Sequence, residues 1–500
     1  MSAKNKNLSY LRDHIPLYVK RVGDILISNG YEAYLVGGSV RDLLLVNTPK
    51  DFDIATNAYP EEIQELFQRT IATGAKFGTI VVIMDDDHGE RYNVEVTTYR
   101  SESDYYGGRW PAKVEFAKRI EDDLKRRDFT INALAVNLDL LNKTDAILDE
   151  VLVDLFNGVE DLESKLIRAV GDAKERFQED GLRPVRACRL ASQLGFKIES
   201  DTFASISSML SVVQNISIER FRDEFSKLIY GSAKPSYGIN LLKDSGILKL
   251  FIPELIECIG VTQPEFHTDD VYTHLLKTLD LAQDEIKLAA LFHDIGKPRT
   301  LSKDEAGSHF FQHDIVSAEM TEEILRRLRY SNKDIEHTVT LVRYHMFYYP
   351  SADWRKAQVD NIHQYVFTEK DLEKLENDEQ NRTIGGWSDA AIRRFISKVG
   401  GVDNINDLIK LRIADATANP KSTFTPVEIE ALQRRISKIF EEDAALKIQD
   451  LNITGHDLME IGVEKGPKIG EILTKLLDDV IEDPSLNTKG TLLQRATKYL

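Results

Sequence analysis

Two aspartates one residue apart follow a diglycine turn: Gly37-Gly38-Ser39-Val40-Arg41-Asp42, then Lys50-Asp51-Phe52-Asp53-Ile54. Strand residues two apart face the same side, so Asp51 and Asp53 can reach one cluster of divalent ions. Gly37 and Gly38 carry no side chain and let backbone amides approach a triphosphate. Arg41 offers a fork of donors for phosphate oxygens. A third carboxylate is expected on a neighbouring strand, and Val94-Glu95-Val96 supplies it. Glu95 would complete the metal cluster or take the proton of an attacking hydroxyl. Two bound ions stabilise the attacking and the leaving oxygen of an in-line displacement. Phosphoryl chemistry of this kind needs positioning and charge, not a covalent nucleophile. Asp-x-Asp alone is common in exposed strands, a diglycine alone is usually a turn, and Glu95 could face solvent on an edge strand. The order of the parts carries the reading: apolar strand, diglycine, charged helix start, Asp-x-Asp strand.

Further arginines lie in Arg126-Arg127-Asp128-Phe129-Thr130-Ile131-Asn132 and in Glu179-Asp180-Gly181-Leu182-Arg183-Pro184-Val185-Arg186-Ala187-Cys188-Arg189. In the second stretch Asp180, Arg183, Arg186 and Arg189 recur every three residues, and on a helix they share one stripe. An acid and an arginine side by side present acceptors and donors that can read the edge of a base. The plainer reading is a salt-bridged helix face.

A second constellation is histidine-rich. Of eleven histidines, His267, His274, His293, His309, His313, His337 and His345 fall in one stretch. Within it stand Asp270-Val271-Tyr272-Thr273-His274 and Leu291-Phe292-His293-Asp294-Ile295-Gly296-Lys297-Pro298, with Asp415 later on a helix. Neutral imidazoles with carboxylates suit divalent transition metals. A lone histidine on an apolar helix is usually core, but an adjacent His-Asp pair ending in Gly-Lys-Pro is harder to explain that way.

The elements that must hold these groups are legible. Residues 8–30 read as a helix. AYLVGG, DFDIAT, GTIVVIM and YNVEVTTY read as strands bounded by Gly, Asp or Asn, with a helix from Pro60 to about Arg69 between the second and third. The chain therefore begins with an α+β domain over residues 1–150, a mixed sheet with flanking helices. Past about residue 160 the strand signal ends. Apolar periodicity at 174–194, 201–213, 217–230 and 236–248 gives short helices, and all-α domains are expected at 151–262, 263–420 and 421–500. Pro264 marks a linker. Thr425-Pro426-Val427-Glu428 has the form of a capping box.

The bulk properties set limits. Five hundred residues imply about three or four domains. A 42 % apolar and 29 % charged composition is that of a soluble globular chain. Cys188 and Cys258 are the only cysteines, which excludes a disulfide framework and a cysteine zinc site and fits a reducing cytoplasm. The first residues contain no apolar signal segment, and no run approaches the roughly 18 apolar residues of a membrane helix. The net charge of −18 argues against non-specific nucleic-acid binding; any RNA contact should be local, as on the basic stretch Lys165 to Arg189.

GGSVRD, KDFDIAT, EVTTYR, RRDFTINALA and EDGLRPVRACRLASQLGF together closely resemble the class II CCA-adding enzymes, the tRNA nucleotidyltransferases, which share head and neck with bacterial poly(A) polymerases. The resemblance spans roughly residues 30–260 and weakens beyond. It implies that Gly38 and Arg41 contact the triphosphate, that Asp51 and Asp53 bind Mg2+, and that Arg127 contacts the nucleotide. Asp180 and Arg183 would serve as an amino-acid template for CTP and ATP, with Arg186 and Arg189 nearby. Asp104 to Arg109 resembles the family's hinge and flexible-loop region, which is associated with the switch from C to A addition, and the region between Arg100 and Val114 is not shortened, which argues against a CC-only enzyme. The histidine pattern resembles the HD superfamily of metal-dependent phosphohydrolases. That resemblance implies His274, His293, Asp294 and Asp415 as ligands, with His313 and His345 at the added positions of two-metal members. Gly466-Pro467-Lys468-Ile469-Gly470 resembles a tail that grips the tRNA elbow.

The expectation is therefore a cytoplasmic enzyme that adds CCA to tRNA 3′ ends from CTP and ATP, with HD chemistry on RNA ends and no obligatory protein partner. CC-addition, A-addition or poly(A) synthesis remain alternatives within the class. An HD phosphohydrolase with an RNA-holding head is the alternative outside it.

Overall fold

The strand Asp53–Thr56 (β2) pairs in parallel with Arg91–Thr98 (β5), and the rest of the first domain follows from that pairing. Tyr34–Val36 (β1) runs antiparallel to β2 on its other side, and its Val36 leads into Gly37. Thr70–Gly74 (β3) and Thr79–Asp85 (β4) continue the sheet beyond β5, while Leu134–Asn137 (β8) and Leu152–Asp154 (β9) continue it beyond β1. The order is β3-β4-β5-β2-β1-β8-β9, a mixed seven-stranded sheet. Arg100–Tyr106 (β6) and Trp110–Phe116 (β7) form a separate hairpin. The computed structural model describes residues 3–75, 78–86, 88–106, 110–141, 143, 147–263, 269–304, 307–347, 388–419, 426–441 and 447–499. Among them no helix is long and apolar enough to cross a membrane. The chain divides into two compact units, Met1–Pro253 and Glu254–Leu500.

Several elements differ from the sequence reading. The single helix expected over 8–30 is two, Ala3–His14 and Leu17–Ser28. Pro16 separates them, because proline lacks an amide donor and disfavours helical backbone in the residue before it. The helix expected from Pro60 to about Arg69 ends at Leu66. Strands β3, β6, β7, β8 and β9 lie outside the four strands read from sequence; β8 and β9 are short and lack alternation, so nothing in their pattern separates them from buried loops. The helix expected over 174–194 breaks into Ala173–Glu179 and Arg183–Leu194. Asp180 is extended, with φ −141°, and a Cβ at Gly181 would stand 2.8 Å from the Val212 carbonyl oxygen. Pro184 lies in the first turn of the second helix, where its missing donor costs little. Two small sheets interrupt the helical remainder: Leu166–Ile167 with Lys197–Ile198, and Leu301–Asp304 with Gly307–Phe310.

In the second unit the helices Val271–Leu281, Lys287–Phe292, His313–Arg327, Asn332–Tyr344 and Val402–Ala418 carry the histidine pattern. The last residues form their own core, with Leu451, Leu458, Leu476, Val480 and Leu492 buried together. Pro426 opens the helix Pro426–Glu441, and Gly466 precedes Pro467–Glu482. One buried cation ties this tail to the helix Asp389–Lys398. Arg393 Nε donates to the Ile481 carbonyl at 2.7 Å and its Nη2 to the Glu482 carbonyl at 3.3 Å. It thereby satisfies carbonyls that the end of helix Pro467–Glu482 leaves free, and it opposes the negative end of the helix dipole. Arg393→Met should cost about 2 kcal/mol; calorimetry should show the thermal transition of the Glu254–Leu500 unit lowered, with that of Met1–Pro253 unmoved.

Candidate active sites

The register of β2 on β5 sets Asp53 directly opposite Glu95. Asp53 is pushed up to about 6, first by burial and then by the charge of Glu95, with Arg127 opposing and Asp51 adding. Two carboxylates this close favour a cation between them, since like charges raise the cost of ionising both. Tyr18, beside Asp51, is raised by burial and by that carboxylate's charge. The turn after β1 places Gly37, Arg41 and Arg127 together. Gly37 has φ +76°, in the left-handed region, and a Cβ there would stand 2.8 Å from Arg127 Nη1. Arg127 is held by Asp123 Oδ2 at 3.1 Å and donates to the Asn132 carbonyl at 3.4 Å. Arg41 Nη1 donates to Asn132 Oδ1 at 2.8 Å and its Nε to Asp42 Oδ1 at 2.8 Å. Gly37 and Gly38 follow the end of β1, Asp51 and Asp53 stand just before and at the start of β2, and Glu95 stands within β5 opposite Asp53, with Arg41 and Arg127 beside the glycine turn.

Arg183, Arg186 and Arg189 are placed differently from a solvent-facing stripe. Arg186 donates to Asp128 Oδ2 at 2.6 and 2.9 Å, and Asp128 Oδ1 accepts from Asn132 Nδ2 at 3.0 Å. Burial weighs against the Asp128 carboxylate, but the Arg186 guanidinium holds it well below the usual range. Arg189 pairs with Glu224 at 2.5 Å. Arg183, 8 % exposed, spends its donors on Glu179 Oε2 at 2.6 Å and on the carbonyls of Arg126 and Arg176. The chain of contacts Arg41–Asn132–Asp128–Arg186–Glu224–Arg189 therefore runs from the glycine turn into the helix Arg183–Leu194. Asp180 sits in the corner ahead of that helix. Its Oδ2 accepts from Arg220 Nη2 at 2.7 Å and its Oδ1 from the Leu182 amide at 3.0 Å. Asp128 and Asn132 stand inside a motif read for its arginines and are missing from the sequence assignment; Arg220 had no local signal. Asp104 lies on β6, and Arg109 lies outside the described residues.

The second site gathers six side chains from five helices or their ends. His274, His293 and Asp415 form one trio and Asp294, His313 and His345 another, each with ligand atoms within 4.8 Å of one another. Asp294 stands between them. Its Oδ2 faces His293 Nε2 at 3.4 Å and His274 Nε2 at 3.7 Å, and its Oδ1 faces His313 at 3.2 Å and His345 at 3.5 Å. Three imidazoles are oriented by the carbonyl three residues earlier: His293 by Ala290, His313 by Phe310 and His345 by Val342, at 3.0, 2.8 and 2.6 Å. A carbonyl only accepts, so Nδ1 carries the proton in each and the Nε2 lone pair faces the cluster. The Nε2 atoms of His313 and His345 are buried and make no hydrogen bond. Acceptors facing a carboxylate at this range repel unless a cation lies between them, so the residues fit divalent metal. Lys297, unassigned from sequence, pairs with Asp294 Oδ2 at 2.5 Å. Burial opposes the Asp294 charge, but this ammonium and the imidazoles hold it well below the usual range.

A mixed-sheet head with register-paired carboxylates, in a chain that also holds an HD-type metal cluster, defines the class: a metal-dependent nucleotidyltransferase with an HD domain. Family models agree along the chain: "Poly A polymerase head domain" at residues 33–168, "Probable RNA and SrmB- binding site of polymerase A" at 195–259, "HD domain" at 270–418 and tRNA nucleotidyltransferase domain 2 at 422–496. The CCA-adding enzyme of Leuconostoc mesenteroides is 32 % identical over 472 residues, 94 % of this chain and 93 % of that one. The chain belongs to the CCA-adding enzyme family. That of Ligilactobacillus salivarius is 48 % identical over 220 residues, 44 % of this chain and 50 % of its own length; that of Enterococcus faecalis is 50 % identical over 204 residues, 41 % and 47 %. The matched region thus spans about half the length of these two relatives. The crystal structure of the Bacillus stearothermophilus CCA-adding enzyme in complex with CTP superposes with a TM-score of 0.62 at 24 % identity, covering 96 % of each chain, and shows the same fold. Both domain types carry a dependence on divalent metal ions.

Gly296 is what lets His313 reach the cluster. A Cβ there would stand 2.6 Å from the Ser317 amide and 2.9 Å from the His313 carbonyl oxygen. Gly296→Ala should push the helix His313–Arg327 outward and weaken metal binding at the histidine cluster by roughly tenfold to a hundredfold. Competition against a chromophoric chelator measures this.

Proposed function

We propose that the protein adds C, C and A to tRNA 3′ ends without a nucleic-acid template. The RNA 3′ hydroxyl attacks the α-phosphorus of CTP or ATP and pyrophosphate leaves. The observation that carries the reading is Asp53 in register with Glu95 beside the Gly37–Arg41–Arg127 turn. Asp51 and Asp53 hold Mg2+, which supplies charge to the attacking and leaving oxygens. Arg41 and Arg127 take the triphosphate, and Gly37 and Gly38 let it approach the backbone. Glu95, exposed beside Asp53, completes the carboxylate set or accepts the hydroxyl proton. Asp180 and Arg183 read the base from the corner and helix start they occupy, exchanging for it their present contacts with Arg220 and Glu179, with Arg186 and Arg189 anchored behind them by Asp128 and Glu224. The loop containing Asp104 and Arg109 participates in the change from C to A.

In domain terms, residues 1–150 are the nucleotidyltransferase head, 151–262 the neck and body, 263–420 the HD domain and 421–500 a tail for the tRNA elbow. At the HD domain, His274, His293, Asp294, His313, His345 and Asp415 hold divalent transition metal for phosphohydrolysis at RNA ends. The two buried free cysteines accord with a cytoplasmic setting.

Extension of three tRNA transcripts, ending before CCA, after C and after CC, resolves the activity at single-nucleotide resolution. C, C, A and then a stop is the expected product. A stop after CC, action on the CC end alone, or a long A tail would replace the assignment with a partial enzyme or a poly(A) polymerase. Asp51→Ala and Asp53→Ala should each lower addition by at least about a hundredfold and spare phosphohydrolysis. His293→Ala with Asp294→Ala should do the reverse; loss of both activities in either variant would show that the two sites are not independent.

A further inference from the structure

Lys297 is a buried ammonium at the edge of the histidine cluster, and holding metal does not account for it. Of the seven side chains there, Lys297, His313 and Asp415 are 9, 10 and 14 % exposed, against 1 to 3 % for His274, His293, Asp294 and His345. The cluster therefore opens at Lys297, His313 and Asp415, and whatever reaches it from solvent passes the ammonium. Lys297 is fixed in that position. It begins the short helix Lys297–Thr300, and its amide donates to the Asp294 carbonyl at 3.0 Å. Its Nζ donates to Asp294 Oδ2 at 2.5 Å and to Gln263 Oε1 at 2.7 Å. Gln263 Nε2 donates to the Asp269 carbonyl at 3.4 Å, which turns the amide oxygen toward the ammonium. The centre of the Phe310 ring lies 5.6 Å from Nζ.

The fixed charges of the cluster cancel before any ion enters. Asp294 faces Lys297, and Asp415 Oδ2 accepts from Arg412 Nη1 at 2.9 Å. Imidazoles bind metal as neutral ligands, and each trio holds a single carboxylate. Two divalent ions would therefore bring four positive charges that no further carboxylate of the trios answers. A centre with that surplus draws anionic ligands. Lys297 feels the change most directly. An ion beside Asp294 Oδ2 would share one oxygen with the ammonium, and the two cations repel. A buried cation left without an anion is costly, so Lys297 then needs a new negatively charged oxygen. A phosphate brings one to the open side of the cluster, and a compact ammonium suits it as a point charge.

We propose that Lys297 is the phosphate-binding residue of the HD site. It pairs with Asp294 while that carboxylate is free of metal, and it passes to an oxygen of the substrate phosphate once an ion takes Asp294. Gln263 and Phe310 keep it at the opening. The proposal rests on the phosphohydrolysis reading above and names the residue that receives the phosphate.

Two binding constants of the full chain test this, and they should move in opposite directions. Competition against a chromophoric chelator gives the affinity for Co2+. Inorganic phosphate is then titrated into the Co2+-loaded chain and followed through the visible absorption of histidine-bound Co2+, which the carboxylate set of the head does not share. Lys297→Met keeps the length of the side chain and its packing on Phe310 but removes the charge. It should bind Co2+ about tenfold more tightly and phosphate about tenfold to a hundredfold more weakly. Lys297→Arg should retain most of the phosphate affinity. A residue that only held Asp294 in place would lose both affinities together on substitution by Met. That result, or unchanged phosphate affinity in Lys297→Met, would overturn the role of Lys297 and leave phosphohydrolysis standing. A wild-type cluster that takes up no phosphate would also overturn it; if the chain in addition releases none from a 3′-phosphorylated transcript, phosphohydrolysis falls with it.

Discussion

Two carboxylates of like charge stand opposite one another because β2 and β5 run parallel in register. Of the charges acting on Asp53, Glu95 and Asp51 add to its cost of ionisation and Arg127 opposes them, so the arrangement favours a cation beside it. Strand β1 lies antiparallel to β2 so that its end, the Gly37 turn, opens beside the carboxylates. The left-handed backbone at Gly37 keeps Cβ space clear for Arg127. A side chain there would displace the Arg127 guanidinium.

The HD site reaches the same dependence by a different route. Its histidines are fixed through Nδ1 by carbonyls of their own chain segments, which turns their lone pairs inward toward Asp294. Acceptors facing acceptors are stable only around positive charge. Lys297 supplies part of that charge from the turn that follows the His-Asp pair. Both sites are thus incomplete electrostatically without metal, one by carboxylate crowding and the other by buried lone pairs.

Between the phosphate side of the head and the helix Arg183–Leu194 there is no flexible linker of contacts but a row of ion pairs and an amide. Asn132 accepts from Arg41 and donates to Asp128, which in turn takes Arg186. A buried pair of this kind adds little net stability over apolar packing, yet leaving one partner alone is costly. Its effect is to fix where the helix Arg183–Leu194 stands relative to the glycine turn. The arginines of the periodic stripe are used largely for this purpose, and Asp180 gains its own partner, Arg220, from the helix Ile218–Gly231.

Much of this was legible in the residues. The order of diglycine turn, arginine and Asp-x-Asp strand, with the flanked Glu95, pointed to the first constellation, because strand periodicity decides which side chains share a face, whereas His274, His293, Asp294 and Asp415 were singled out as a set by their resemblance to the HD superfamily. The short strands β8 and β9 were less legible because they lack alternation, and the corner at Asp180 because its cause is the close approach of Gly181 to the Val212 carbonyl; the break at Pro16 has its signal in the proline itself. The identity and local spacing of the chemical groups were thus set by the sequence alone. The tertiary structure decided which of them meet: the register that opposes Asp53 to Glu95, the division of Asp294 between two trios, and the diversion of Arg183, Arg186 and Arg189 into buried pairs. Those are long-range pairings between distant segments, and nothing in a local pattern encodes which partner a buried charge will find.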